Sequence, residues 1–115
     1  MTTNNHEVIL AIINSGYADE AMAVARENGA RGGTIINARG VADKEAAAFF
    51  GITFHEDKEI LMLVVSKDQR DQILNALYQQ MGMGKKARGI AFSLPVSDVA
   101  GLVKEQEDND LSQSS

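Results

Sequence analysis

Four short apolar segments alternate with two amphipathic segments along this chain. Residues His6–Asn14 contain six consecutive apolar residues, several of them β-branched, which is typical of a strand buried inside a sheet. Residues 58–66 have the same character, and the shorter segments 32–39 and 89–96 also favour strands. Pro95 places the end of the last strand at an edge of the sheet or outside it, because proline cannot donate a hydrogen bond to a strand ladder.

Residues 17–28 and 67–81 each predict an amphipathic helix, because their apolar residues recur at helical spacing. Ser15 is the expected N-cap of the first helix, and Ser66 or Asp68 is the expected N-cap of the second. The predicted apolar faces consist of Tyr17, Ala21, Val24 and Ala25 in the first helix and of Ile73, Leu74, Leu77 and Met81 in the second.

The order of these segments predicts an α+β domain. A short motif suggests a duplicated β-α-β unit, since Ala30-Arg31-Gly32 after the first helix is repeated as Ala87-Arg88-Gly89 after the second. We therefore predict the ferredoxin-like βαββαβ sandwich, in which a four-stranded antiparallel sheet carries both helices on one face. The other sheet face would then be apolar and bare in a single chain, which favours association. Residues 42–50 predict a short helix or an ordered loop.

The length of 115 residues fits one domain. We predict a flexible N-terminus over residues 1–5, the folded domain over 6–103 and a disordered acidic tail over 104–115. The net charge is −5, but the tail carries much of it and the body is nearly neutral, which argues against nucleic-acid binding. The apolar runs are too short to insert into a membrane and the first residues do not resemble a secretory signal, so a cytoplasmic location is expected.

Little in the composition suggests catalysis. The chain has no cysteine, which excludes disulfides, thiolate zinc sites and cysteine nucleophiles. The histidines, His6 and His55, have no partner at ligand spacing, so neither a metal site nor a catalytic site is predicted. The serines lack the G-x-S-x-G context of an activated nucleophile. The acidic residues between 43 and 59 are interpreted as a solvated face.

Residues 82–89, GMGKKARG, combine flexible glycines with the three cations Lys85, Lys86 and Arg88. Backbone N–H groups at glycines can curl around an anion and the cations can neutralise it, so an anion-binding loop is one interpretation. An exposed basic loop without a ligand is the other. The loop is not a Walker motif, because no Ser or Thr follows the Gly-Lys pair.

Several motifs together resemble the PII signal-transduction family, also called nitrogen regulatory proteins P-II. They are VILAII followed by N-x-G-x-x-D-E, then G-A-x-G-G-T-I-I, then K-E-I-L-M-L-V-V, and finally G-x-G-K-K-A-R-G-I-A-F-S-L-P-V. The resemblance covers about residues 7–103 and is greatest to PII-like proteins with a shortened T-loop, the loop between the second and third strands. Residues 41–57 contain no tyrosine, so the modifiable tyrosine of the family's T-loop is absent.

The resemblance implies a homotrimer that is not an enzyme, in which the bare sheet faces pack around the central axis. It implies AMP, ADP, ATP or a similar small anionic metabolite as an effector in clefts between subunits, with no tightly bound cofactor. A protein partner would respond to the bound state, with a transporter as one candidate. By position, the implied nucleotide contacts are Thr34, Arg39, Gly40 and Val64 together with Gly84, Lys85, Lys86, Arg88 and Gly89 of the B-loop, the loop before the fourth strand.

The resemblance also shows a departure at the C-terminal end. Family members place arginines there that contact the terminal phosphates, whereas the comparable residues 100–104 contain only Lys104 as a cation. An amino-acid-binding regulatory module of the ACT type has the same topology and is the alternative function. It would use the turn Asn14-Ser15-Gly16 at the start of the first helix. A metal-tolerance trimer of this fold is disfavoured by the isolated histidines.

Overall fold

The computed structural model describes residues 5–41, 45, 56–82 and 84–101. The predictions for the acidic tail 104–115, for residues 1–4 and for the segment 42–50 lie outside the described residues, apart from Glu45. The regular elements are β1 (His6–Asn14), α1 (Ala18–Glu27), β2 (Thr34–Gly40), β3 (Glu56–Ser66), α2 (Lys67–Met81) and β4 (Ile90–Pro95).

The four strands form one antiparallel sheet in the order β2-β3-β1-β4. Together with the two helices this is the predicted ferredoxin-like βαββαβ fold, which is confirmed. Asn14 at the end of β1 is paired with Lys58 at the beginning of β3. β4 is an edge strand that ends at Pro95, as the missing N–H of proline requires.

Both helices pack on the same face of the sheet, α2 against β1, β3 and β4 and α1 against β3 and α2. Every second residue of β1 is buried, because successive side chains of a strand point to opposite faces. The predicted helical faces are confirmed, since each is buried or packs against the core. The largest fully buried side chains are Ile9, Ile13, Leu61, Leu63, Ile73 and Met81.

The other face of the sheet is apolar across all four strands, as predicted. The register places Leu10 beside Met62 on one side and beside Phe92 on the other. Side chains on this outer face are 40–48% exposed at Ile36, Val64, Phe92 and Leu94. Thr34, Asn14 and Lys58 also lie on this face. The apolar residues of the outer face are Val8, Leu10, Ile12, Ile36, Ile60, Met62, Val64, Ile90, Phe92 and Leu94.

The start of α1 is capped by a residue of β3, and the predicted role of Ser15 is wrong. Tyr17 occupies the N-cap position without a side-chain capping bond. Instead, Oε1 of Glu59 accepts hydrogen bonds from the N–H groups of Gly16 at 2.8 Å and Ala18 at 3.1 Å. Ser66 is the N-cap residue of α2 as predicted, although its side chain makes no capping bond.

A buried carboxylate ties the beginning of β1 to α2. Glu7 lies on the helix-covered side, and its Oε2 is 2.9 Å from Nη1 of Arg70. A carboxylate withdrawn from water needs such a partner, because burying an unpaired charge is costly. The hydrogen bonds with Glu7 and Asp71 raise the pKa of Arg70, so this cation stays charged. Within the described residues, no helix is long and apolar enough to cross a membrane.

Candidate functional site

The predicted B-loop connects α2 to β4 and is fixed to the end of β1. The N–H of Gly89 donates to the carbonyl oxygen of Met81 at 2.7 Å, and the N–H of Asn14 donates to that of Ala87 at 2.9 Å. Ala87 is buried, whereas the three cations of the loop are exposed. The backbone is therefore held by the fold while Lys85, Lys86 and Arg88 extend into solvent.

Part of the predicted phosphate cradle is already occupied by bonds within the loop. The N–H of Lys85 donates to the carbonyl of Gly82 at 3.0 Å, and the N–H of Arg88 donates to the carbonyl of Lys85 at 3.1 Å. Together with the N–H of Gly89, three donors of the loop are thus bonded inside the chain. An anion approaching this conformation would first meet the side-chain cations, not these N–H groups.

Two backbone positions give the loop its shape. Gly84 has φ +89°, and Arg88 has φ 50°, a left-handed conformation that is uncommon outside glycine. At Gly89 the requirement is space, since an added Cβ would lie 2.6 Å from Cγ2 of Ile13 and 2.8 Å from the carbonyl oxygen of Met81. Glycine at position 89 therefore has a packing reason, and its contact with a nucleotide stays a prediction.

A buried lysine lies next to the loop, and sequence reasoning did not identify it as a site residue. Lys58 is 2% exposed, and its Nζ is 2.7 Å from Oε1 of Glu56. The same Nζ donates to Oδ1 of Asn14 at 2.7 Å. The Nδ2 of Asn14 in turn donates to the carbonyl oxygen of Lys86 at 3.1 Å. The available signal was a lysine that opens an otherwise apolar strand.

The predicted nucleotide contacts outside the B-loop lie at two different parts of the sheet. Arg39 and Gly40 pair with the first residues of β3, at the same end of the sheet as the loop, but β3 lies between them and β1. Thr34 pairs with Met62 and lies near Val64. Val64 is six residues beyond Lys58 on β3, or about 20 Å at the rise of a strand. A single chain therefore does not bring the nine predicted residues together.

A polar groove of about 320 Å³ adjoins Val64 at the far end of β3. Nδ1 of His6 is buried without a hydrogen-bond partner among the described residues. Arg31 also contributes to this groove. The lining residues are His6, Gly29, Ala30, Arg31, Val64, Val65, Ser66 and Gln69.

The turn that the ACT-type alternative would use is engaged within the chain. The N–H of Ser15 donates to the carbonyl oxygen of Asp57 at 3.3 Å, and the N–H of Gly16 donates to Glu59. The side chain of Asn14 bonds to Lys58 and Lys86. Donors that an amino-acid carboxylate would require are thus already used. Among the described residues, no group of three or more histidines and acids could hold a metal ion.

Comparisons with known proteins agree on one family. The family model "Nitrogen regulatory protein P-II" matches residues 6–106. The crystal structure of Arabidopsis thaliana PII bound to citrate is similar with a TM-score of 0.65 and 24% identity, covering 87% of this chain and 82% of that one. A putative PII-like signalling protein from Thermus thermophilus is similar with a TM-score of 0.64 and 20% identity, covering 86% of this chain and 94% of that one. No curated protein matches the sequence significantly.

Proposed function

Because this chain belongs to the PII family of nitrogen regulatory proteins, we propose that it is a non-enzymatic signalling protein. Its homotrimer binds an adenine nucleotide or a similar small anionic metabolite in clefts between subunits. The observation that carries the proposal is the separation of the predicted contacts on one chain. Along the sheet, Thr34 lies about 13 Å and Val64 about 20 Å from the end that adjoins the B-loop, and the distance to Val64 is too long for one small nucleotide to touch both Val64 and the loop.

A second copy of the chain removes this separation. In a cyclic trimer, each subunit presents one end of its sheet to a neighbour and receives a different part of the next subunit in return. The base would then contact Thr34 and Val64 of one subunit, while the phosphates meet Lys85, Lys86 and Arg88 of the adjacent one. Arg39 and Gly40 would line the cleft between these two groups.

The outer face supports the trimeric assembly. It is apolar on all four strands and includes side chains that are partly exposed in one chain, such as Val64 and Phe92. Burial of apolar surface contributes about 25 cal/mol per Å², so a face of this kind favours association. Homotrimers are typical of PII proteins. Packing three such sheets around one axis would cover the outer faces of all three.

The ligand should carry few phosphates. The cations supplied by the B-loop are three, and the stretch 100–104 adds only Lys104 where family members are expected to have arginines. Each charge-assisted hydrogen bond that is missing forfeits roughly 1.5–3 kcal/mol, and 1.4 kcal/mol is about tenfold in affinity. AMP or ADP is therefore expected to bind as well as ATP or better. The citrate bound by Arabidopsis PII supports a small anion in general as a ligand of this fold.

The signalling step follows from where the ligand binds. A nucleotide held between subunits would favour one conformation of the residues around the cleft and so change the surface offered to a protein partner. A transporter is one candidate partner, and the cytoplasm is the proposed location. Catalysis is not part of the proposal, because no activated nucleophile or acid–base pair was predicted from the sequence.

Mixed trimers test whether the site lies between subunits. Val64→Phe fills the space for the base while keeping the outer face apolar. Val64→Phe and Arg88→Glu are each expected to abolish ADP binding in isothermal titration calorimetry, whereas Arg26→Glu on the exposed side of α1 serves as a matched control. The two inactive variants are then unfolded together in equal amounts and refolded. In random cyclic trimers about a quarter of the clefts combine an intact Val64 side with an intact Arg88 side. Calorimetry should therefore recover about a quarter of the sites.

Three results would contradict the proposal. Sedimentation of the unmodified protein as a monomer would remove the trimer. Loss of binding that mixing does not restore, in trimers shown to have exchanged subunits, would place the whole site within one subunit. Absence of binding by adenosine, AMP, ADP and ATP would remove the adenine nucleotide as the ligand.

A further inference from the structure

One side chain links the buried ion pair of β3 to the cationic loop. The amide of Asn14 accepts a hydrogen bond from Nζ of Lys58 at 2.7 Å through Oδ1. It donates one to the carbonyl oxygen of Lys86 at 3.1 Å through Nδ2. Lys58 and Lys86 are 28 positions apart in the sequence, and Asn14 is far from both. The fold brings all three together, because β1 ends where β3 begins and where the loop approaches β4.

The chemistry of this bridge requires an amide. An ammonium group needs an acceptor and a carbonyl needs a donor, and asparagine presents both on one planar group. Aspartate would keep the acceptor toward Lys58 but turn an oxygen toward the carbonyl of Lys86. Leucine has a similar volume and would supply neither group. The two halves of the bridge can therefore be removed separately.

Within the described residues, the ammonium group of Lys58 contacts two side chains. Its side chain is almost fully buried, and its Nζ contacts the carboxylate of Glu56 and the amide of Asn14. A buried cation that loses its anionic partner is strongly unfavourable. The ammonium group must then move, bind water or change its hydrogen bond with the remaining polar neighbour. A change at Glu56 therefore alters the hydrogen bond between Lys58 and Asn14.

We propose that Asn14 is a positioning residue that couples the Lys58–Glu56 ion pair to the conformation of the cationic loop 84–89. When Glu56 forms its ion pair with Lys58, the ammonium group of Lys58 holds the Asn14 amide in the orientation that donates a hydrogen bond to the carbonyl oxygen of Lys86. When Glu56 withdraws, the amide follows Lys58 and releases the loop. A role of this coupling in signalling rests on the proposed function. The coupling itself can be measured without a ligand.

Hydrogen–deuterium exchange of the full-length protein without nucleotide tests the coupling. The reporters are the amides of Arg88, which donates to the carbonyl oxygen of Lys85 in the loop, and of Gly89, which donates to that of Met81 at the end of α2. Glu56→Gln removes the charge while keeping an acceptor, and it is expected to speed their exchange roughly three- to tenfold. Asp57→Asn changes the exposed acid next to Glu56 and is the matched control, with exchange unchanged.

A double-variant cycle shows whether Asn14 carries the effect. Asn14→Leu alone should speed exchange of the same amides, and adding Glu56→Gln to it should produce no further change. Equal effects of Glu56→Gln in both backgrounds would mean that the coupling bypasses Asn14 and would overturn the proposal. No response of the loop to Glu56→Gln, with Asn14→Leu still effective, would reduce Asn14 to a local structural contact and would also overturn it.

A second variant keeps the test decisive where Asn14→Leu does not fold. Asn14→Asp retains the bond to Lys58 and loses the donor to Lys86. It should speed exchange in residues 84–89 while the amides of residues 57–60 keep their protection. Unchanged protection of the loop would contradict the proposal. Because no nucleotide is present, these outcomes are independent of whether calorimetry detects binding.

Discussion

Glu59 should contribute more to stability than an exposed acid on the same strand, because it caps α1 from outside the helix. Its Oε1 accepts hydrogen bonds from the N–H groups of Gly16 at 2.8 Å and Ala18 at 3.1 Å, next to the unpaired donors of the first helical turn. Tyr17, at the N-cap position, makes no side-chain capping bond. Replacing Glu59 with alanine therefore leaves the helix start without its acceptor.

The expected magnitude follows from these two bonds. Removing an N-cap acceptor costs about 0.5–2 kcal/mol, and removing a negative charge from a helix N-terminus costs about 0.3–1 kcal/mol more. Glu59→Ala should thus lower the free energy of unfolding by about 1–3 kcal/mol. Glu59→Gln keeps an acceptor oxygen and loses the charge, so it should cost only about 0.3–1 kcal/mol. Asp57→Ala, at an exposed acid two positions earlier, should cost less than about 0.5 kcal/mol.

Urea unfolding monitored by circular dichroism measures these differences, at one fixed subunit concentration because association adds to apparent stability. The expected order of free-energy loss is Glu59→Ala, then Glu59→Gln, then Asp57→Ala. Equal losses for Glu59→Ala and Asp57→Ala would refute the capping role. A loss for Glu59→Gln as large as that for Glu59→Ala would show that charge, not hydrogen-bond acceptance, holds the helix start.

Two further pairs of variants compare a tightly packed glycine with an open one and an outer-face residue with a core residue. Gly33→Ala should lower the melting temperature in calorimetry, because its Cβ would lie 2.6 Å from Cδ2 of Leu63 and 3.0 Å from the carbonyl oxygen of Met62. Gly32→Ala has nothing within 4 Å and should leave it nearly unchanged. Ile12 lies on the outer face, so Ile12→Asp should dissociate the trimer in sedimentation while the far-UV circular dichroism spectrum of the folded chain is unchanged. Leu63→Asp is fully buried and should unfold the chain, as the same two measurements would show.

The elements that the sequence predicted best are those whose signal is local. The apolar run of β1 and the helical spacing of α2 predicted the observed boundaries, because both signals come from residues close together in the sequence. β3 begins at Glu56, two residues before the predicted start. Its first residues are polar and belong to the strand because they pair with Arg39 and Gly40 of β2, a cause that lies in another segment.

The candidate site was predicted in part for the same reason. Loop 84–89 is visible in the sequence, since glycines and cations are adjacent there. The bridge from Asn14 to Lys58 is not, because it depends on the register that pairs the end of β1 with the start of β3 across 44 positions. The capping role of Glu59 was not predicted for the same reason, because a cap supplied by a neighbouring strand has no sequence signal near the helix that it stabilises.

The position of the loop relative to the outer face links ligand binding to assembly under the proposed function. A ligand that touches Val64 of one subunit and Arg88 of the next binds only the associated form, so by mass action it stabilises that form. The coupling is reciprocal, so association strengthens ligand binding by the same factor by which the ligand strengthens association. The hydrogen bonds of the Asn14 bridge lie within one subunit, so their effect on the loop is measured without ligand. Substitutions at Ile12 should instead change association first and ligand binding as a consequence.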